Sequence, residues 1–261
     1  MDLEGGVAIV TGSSSGVGAA TARQLAEKGC NVVINYAHNE AGAEETRAAC
    51  ESLGVETLVV KADVAADEDC RRMAALADEK WGRIDALVNN AGTTKFCDHA
   101  DLEGLSAEDF QHIYGVNTVG AYQMVRAVEP AMRRGGRGSI VNVASIAGVM
   151  GVGSSIAYAA SKGAMVTLGL SLARVLGPEI RLNTVCPGFI QGDWLEQGMG
   201  AETYAKTKAY LEQNTPLQLT TTPDTVAEVV VYLLTGAGVV TGETLLLDGG
   251  HHLTQMPFAR R

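Results

Sequence analysis

Short apolar runs alternate with longer amphipathic stretches along the whole chain. Seven runs, Val7–Thr11, Asn31–Asn35, Glu56–Val60, Ala86–Asn89, Ser139–Ala144, Arg181–Cys186 and Thr244–Leu247, are rich in Val, Ile and Leu. They lack polar alternation, as strands buried on both faces do. Between them, helical periodicity predicts helices near 16–28, 40–53, 67–80, 106–134, 157–176 and 224–235. Strands alternating with helices imply βαβ units with right-handed crossovers and a parallel sheet. The expected fold is therefore α/β, a doubly wound Rossmann sheet of about seven strands with helices on both faces. No Pro/Ser-rich linker divides the chain, so residues 1–261 are expected to form a single domain. Segment 191–217 breaks the rhythm with Trp194, a helix near 201–213 and Pro216. A long insertion after a strand's carboxyl end is a candidate substrate lid.

Composition narrows the function classes. The 31 glycines among 261 residues follow no collagen period, so they belong at turns and close backbone approaches. A net charge of −10 without a Lys/Arg block argues against a nucleic-acid partner. Arg133, Arg134 and Arg137 read as a solvated helix end. The five cysteines include no C-x-x-C pair, which points to a reducing, cytoplasmic setting without a disulfide framework. The first residues lack a signal-peptide pattern, and the longest uncharged run, 138–161, is too rich in Gly and Ser for a membrane span. His38, His99, His112, His251 and His252 show no metal-ligand spacing, and the adjacent pair His251-His252 reads as a turn.

The first strand runs into Thr11-Gly12-Ser13-Ser14-Ser15-Gly16-Val17-Gly18. Glycines let this backbone turn sharply against a pyrophosphate, and the following helix offers free N–H groups and a positive dipole end. Tyr158 and Lys162, four apart in a predicted helix, share one face. A nearby ammonium favours the tyrosinate, so Lys162 is expected to lower the Tyr158 pKa from its usual value near ~10 and make it a general acid/base. Asn117 interrupts a helical stretch where Asn is a poor former, which marks it for a special role.

With these motifs in this order, the sequence resembles the short-chain dehydrogenase/reductase family, in the branch of 3-oxoacyl-carrier-protein reductases and of sugar or polyol dehydrogenases. The resemblance implies a nicotinamide cofactor and hydride transfer between its C4 and a carbonyl or secondary alcohol carbon. It implies catalysis by Asn117, Ser145, Tyr158 and Lys162. Ser145 would hold the substrate oxygen, Lys162 the nicotinamide ribose, and Asn117 a water leading from the lysine to solvent. It also implies cofactor contacts at Gly12, Ser13, Ser14, Ser15, Gly16, Val17, Gly18, Asn35, Tyr36, Asp63, Val64, Asn90, Ala91, Gly92, Pro187, Gly188 and Ile190. Asp63 would take the adenine amino group, Asn89-Asn90-Ala91-Gly92 would back the cofactor, and Asp248-Gly249-Gly250 matches a C-terminal signature. Members are usually tetramers, so a homotetramer with 222 symmetry is expected. The apolar residues on several faces of 106–134 and 157–176 agree with that.

Three features qualify the family expectation. Gly192 stands where many members carry a Thr toward the carboxamide, leaving backbone at Ile190 to serve instead. The second strand ends without a carboxylate before Glu40, which removes the usual block to a 2′-phosphate. NADP(H) is therefore expected to be preferred modestly, held by Ser13, Ser14, Asn35, Asn39 and His38, with NAD(H) usable. Finally, of two arginines used by relatives to dock acyl carrier protein, Arg174 is present but Pro130 replaces the other. A small apolar or aromatic carbonyl compound is the expected substrate, with Trp194, Leu195, Met199, Tyr204 and Leu211 lining its pocket. The alternatives are a 3-oxoacyl-carrier-protein reductase and a non-catalytic nucleotide-binding regulator.

Overall fold

The computed structural model describes residues 1–254. Seven strands form one sheet: β1 (Val7–Val10), β2 (Asn31–Tyr36), β3 (Thr57–Lys61), β4 (Ala86–Asn89), β5 (Gly138–Val143), β6 (Ile180–Pro187) and β7 (Thr244–Leu247). Every pairing is parallel and the order is β3-β2-β1-β4-β5-β6-β7. The chain thus winds outward in both directions from β1 and β4, and the crevice between their carboxyl ends is the topological switch point.

The central strands are buried throughout, with successive residues facing opposite layers. Ala8, Val10, Val32 and Ile34 face one core, while Ile9 and Val33 face the other. On the first face pack α1 (Gly16–Ala26), α2 (Glu40–Glu51) and α10 (Pro223–Thr235), through Leu25, Ala43 and Val230. On the second face pack α3 (Asp67–Trp81), α5 (Gly120–Arg134) and α7 (Ile156–Leu176), through Met73, Met124 and Leu176. This two-sided burial explains the apolar, non-alternating strand sequences.

The expected helix 106–134 is three pieces rather than one. Helix α4 (Ala107–Tyr114) opens with a Ser106–Asp109 capping box, and residues 115–119 form a π-helical turn that leads into α5. A π-turn widens the backbone by one residue, which periodicity cannot register. Two short helices also escape periodic detection, α6 (Ala147–Met150) and α8 (Asp193–Met199), and α9 (Ala201–Asn214) follows α8. Seven residues or fewer give too little period to read.

Candidate active site

The loop between β1 and α1 is shaped by two ties. Gly12 donates its N–H to Asn35 Oδ1 and Ser13 donates its N–H to Asn35 O. Beyond them, the N–H groups of Ser14, Ser15, Gly16, Val17 and Gly18 have no acceptor among the described residues. The side chain of Ser15 does not cap α1, and no acid occupies the first turn. By contrast α4, α7 and α10 are all capped by Ser or Thr side chains. Free N–H groups at an uncapped helix start form an anion cradle, which suits the pyrophosphate of a dinucleotide. Gly18 is required by close approach: a Cβ there would lie 2.4 Å from Gly12 O and 2.5 Å from Asn90 Nδ2.

The loop after β4 forms the opposite wall. Asn90 Nδ2 donates to Thr11 O and Gly12 O, and Thr11 Oγ1 accepts from the N–H groups of Asn90 and Ala91. Gly92 lies beside Asn117 Oδ1 and Lys162 Nζ. Asp63 is exposed with Oδ1 accepting from Ala65 N–H, and Val64 packs against Gly120. At the other end, Gln191 N–H donates to Thr221 O and Thr221 N–H to Phe189 O. That pattern leaves the N–H and C=O of Ile190 unengaged among the described residues. Pro187 O accepts from Ile146 N–H, and Gly188 N–H donates to Leu247 O.

Ser145, Tyr158 and Lys162 meet at the carboxyl ends of β5 and β6. Ser145 follows β5 and accepts from Ala147 N–H at 3.1 Å. Ser155 caps α7 by accepting from Tyr158 N–H, which places the tyrosine in the first turn. Lys162 lies one turn on, with Nζ donating to Val143 O at 2.8 Å and standing 5.7 Å from the Tyr158 ring centre. Asn117, on the π-turn, is fully buried and clamped: Oδ1 accepts from Thr93 N–H, and Nδ2 donates to Thr93 O and Ser161 Oγ. Its side chain is thus used up in joining the post-β4 loop to α7.

The electrostatics reverse one expectation. Part of Tyr158 reaches solvent, yet close packing pushes its phenol up to about 12. Hydrogen bonding from Ser145 pulls it down, and the neighbouring Cys186 adds to the rise. Lys162 is not among the groups that lower it, and burial drives the lysine's own pKa from 10.5 down to about 8. Cys186, buried on β6 beneath these groups, has its thiol pushed up to about 11 by burial.

Other side chains sit differently from expectation. The Ser13 hydroxyl is buried, donating to Val10 O and accepting from Asn35 N–H. Asn35 Nδ2 donates to Val60 O and Ala62 O. Asn39 accepts from Gly42 N–H and donates to Ser14 O. These three side chains hold the protein together and are not free to grip a 2′-phosphate; Ser14 and His38 remain. Gly192 has φ +146° and donates its N–H to the Tyr204 hydroxyl, a backbone that a Thr would adopt only under strain. Tyr204 stacks on Phe189 and Leu211 is buried beside it, so neither faces Tyr158. Trp194 does: its ring centre lies 6.1 Å from that of Tyr158. His252 Nδ1 hydrogen-bonds the buried Asp248 carboxylate at 2.9 Å, fastening the turn after β7.

Sequence reasoning passed over Thr11, Thr93, Ser155, Ser161 and Phe96. Ser155, three residues before Tyr158, carried a readable N-cap signal. The others act across long sequence separations and leave no local trace.

Comparison with known proteins agrees with this geometry. Residues 12–252 match the family model described as enoyl-(acyl carrier protein) reductase. A protein assigned as ketoacyl reductase 2 of the granaticin polyketide synthase of Streptomyces violaceoruber is 43% identical, the match covering 96% of this chain and 97% of that protein. A Burkholderia xenovorans structure assigned as a short-chain dehydrogenase/reductase superposes with a TM-score of 0.88 at 38% identity, covering 95% of this chain and 98% of that one. NAD⁺-bound xylitol dehydrogenase superposes with a TM-score of 0.88 at 29% identity, covering 96% of this chain and 100% of that one. This chain belongs to the short-chain dehydrogenase/reductase family, enzymes of nicotinamide-dependent alcohol and carbonyl chemistry, in its 3-oxoacyl-carrier-protein-reductase-like branch.

Proposed function

We propose that this enzyme interconverts a small, mainly apolar ketone and its secondary alcohol, with Tyr158 as the general acid/base. The observation that carries the reading is the convergence of Tyr158, Ser145 and Lys162 at the open end of β5 and β6, beneath Trp194. A nicotinamide dinucleotide, when bound, supplies or accepts the hydride. Its pyrophosphate would lie on the free N–H groups of residues 14–18, its adenine by Asp63, and its carboxamide by the Ile190 backbone. Ser145 directs the substrate oxygen toward Tyr158, whose phenol gives that oxygen its proton during reduction. Lys162 fastens the nicotinamide ribose and, with the Asn117 carbonyl, passes the replacement proton inward. Residues 1–261 act as one catalytic unit, with 191–217 as its substrate lid. Five free thiols, four of them buried, suit a cytoplasmic enzyme.

The decisive assay follows nicotinamide absorbance with a panel of ketones and alcohols and both cofactors. Turnover of ketones in preference to free polyols is expected, since polyol hydroxyls would lose hydrogen bonds beneath an apolar wall. NADP(H) is expected to be preferred by only a few-fold in kcat/KM. No carboxylate ends β2, but of the expected side chains only Ser14 and His38 remain to meet a 2′-phosphate, with no arginine among them. An NADH preference above tenfold would overturn this choice.

A carrier-bound 3-oxoacyl substrate is the second reading, favoured by the ketoacyl reductase relative. Against it, Pro130 sits within α5 and Arg133 is already engaged by Glu129, Glu179 and Val175 O, leaving little free positive charge beside Arg174. Comparing a free ketone with an acyl-carrier-bound one separates the two.

We also propose a homotetramer. Ile156, Leu170 and Val175 on α7, and Tyr114, Val119 and Tyr122 before and within α5, remain exposed on the single chain. Such apolar helix faces call for a self-complementary partner. Light scattering at micromolar concentration is expected to report four chains of 27.2 kDa. A monomer would refute it.

A further inference from the structure

Phe96 belongs to none of the motifs above, yet it stands in the wall of the site. It lies in the loop after β4, four residues beyond Gly92. Its ring centre is 5.6 Å from that of Trp194, which in turn is 6.1 Å from that of Tyr158. The planes are tilted by 57° and 49°, so the three rings form open wedges rather than a sealed stack. Trp194 is half exposed, and flat apolar surface therefore faces the approach to the Tyr158 hydroxyl.

The placement of Phe96 depends on a second feature. A Cβ on Gly198, in α8, would fall 2.0 Å from the Phe96 ring. The ring occupies the space where any other residue's side chain would begin. Phe96 thus packs against α8 at Gly198 and holds Trp194 beside Tyr158. Leu195, Gly198 and Met199 are the partly buried residues of α8, and no residue of α8 is fully buried. Among described aromatic pairs, the Phe96–Trp194 contact is the one that ties α8 to the post-β4 loop.

We infer that Phe96 is a specificity-determining residue and that the Phe96–Trp194 wall selects ketones fused to a flat aromatic ring. This rests on the carbonyl-reductase reading above. A planar ring laid against the half-exposed Trp194 gains offset or edge-to-face contacts that a flexible alkyl chain cannot reproduce. The chain also loses rotamer freedom on entry, whereas the fused ring loses none. Polar, freely rotating substrates gain least, because the two ring faces return none of the hydrogen bonds such substrates lose on leaving water.

The test compares 2-tetralone with 2-decanone, two ketones of equal carbon number, on the cofactor-loaded enzyme. Wild type is expected to favour 2-tetralone in kcat/KM by at least about tenfold, with the difference mainly in KM. Phe96→Ala is expected to lower that ratio by about tenfold, and Phe96→Tyr to retain it. Gly198→Ala keeps both aromatic side chains but displaces one from the other, and is expected to lower the ratio as well. Cofactor fluorescence and a thermal melt confirm that each variant is folded and loaded. A ratio unchanged in Phe96→Ala, or a wild type preferring 2-decanone, overturns this inference and leaves the reductase reading standing. Turnover of neither ketone, nor of any other in the panel, brings down both.

Discussion

Tyr158→Phe is expected to lower kcat by about a thousandfold or more, while cofactor affinity changes by less than a few-fold. General acid/base catalysis by a positioned side chain is worth roughly a hundred- to ten-thousandfold, and no other phenol stands at this point of the sheet. The substitution spares the fold. The phenylalanine ring can keep the contact with Trp194, and the N-cap bond from Tyr158 to Ser155 uses only the backbone N–H. The direction of the pKa shift adds a pH signature. With the phenol pushed up to about 12 by burial, Tyr158 remains a loaded acid throughout the neutral range. Ketone reduction should vary little between pH 6 and 8 on account of this group, whereas alcohol oxidation should climb as pH rises toward the phenol's titration. Stopped-flow and steady-state assays in both directions check this. A Phe variant with near-wild-type turnover would remove Tyr158 from the chemistry.

Lys162→Met is expected to abolish most activity and yet to stabilise the protein without cofactor by about 1–3 kcal/mol at pH 7. Lys162 is 3% exposed, and Nζ makes one good hydrogen bond, to Val143 O, with a weak contact to Met165 Sδ. Its fall from 10.5 to about 8 measures the cost of burying the ammonium. That displacement corresponds to a few kcal/mol, on the order of 3. The sign follows from linkage. Below about pH 8 the folded and unfolded chains both hold the proton, and the folded state bears the whole cost. Between about 8 and 10.5 only the unfolded chain is charged, so wild-type stability rises with pH. Above 10.5 neither is charged and the cost is gone. Urea unfolding at pH 7 and at pH 10 should therefore show the Met variant's advantage shrinking with pH. An advantage independent of pH, or a variant less stable at pH 7, would show that Lys162 is not a buried charge held for function. Active sites commonly sacrifice stability in this way.

Some of this molecule is local in origin and was legible from residues in order. The seven strands follow from apolar runs whose two faces are both buried, so the sheet and its helical layers could be read from periodicity alone. The Gly12–Gly18 loop and the Tyr158/Lys162 helix face are equally local, because a few adjacent residues set their backbone. What lay beyond the sequence depends on contacts between distant segments. Asn117 was marked as unusual, but its clamp on Thr93 and Ser161 needs the π-turn to meet α7. Ser13 and Asn35 resembled phosphate ligands until folding brought β2 beside β1 and gave their polar atoms backbone partners. The rise in the Tyr158 pKa runs against the lowering expected from Lys162, because spacing shows which charges are neighbours, whereas desolvation depends on everything packed around them. Phe96 had no local signal at all; its role exists only because Gly198, about a hundred residues later, leaves room for its ring. The sheet, the glycine-rich loop and the shared face of Tyr158 and Lys162 follow from residue order, since these rest on backbone propensity and short-range spacing. Tertiary structure alone decided which polar groups remain free to bind, how the reactive groups titrate and what wall the substrate meets, because burial and long-range contact set all three.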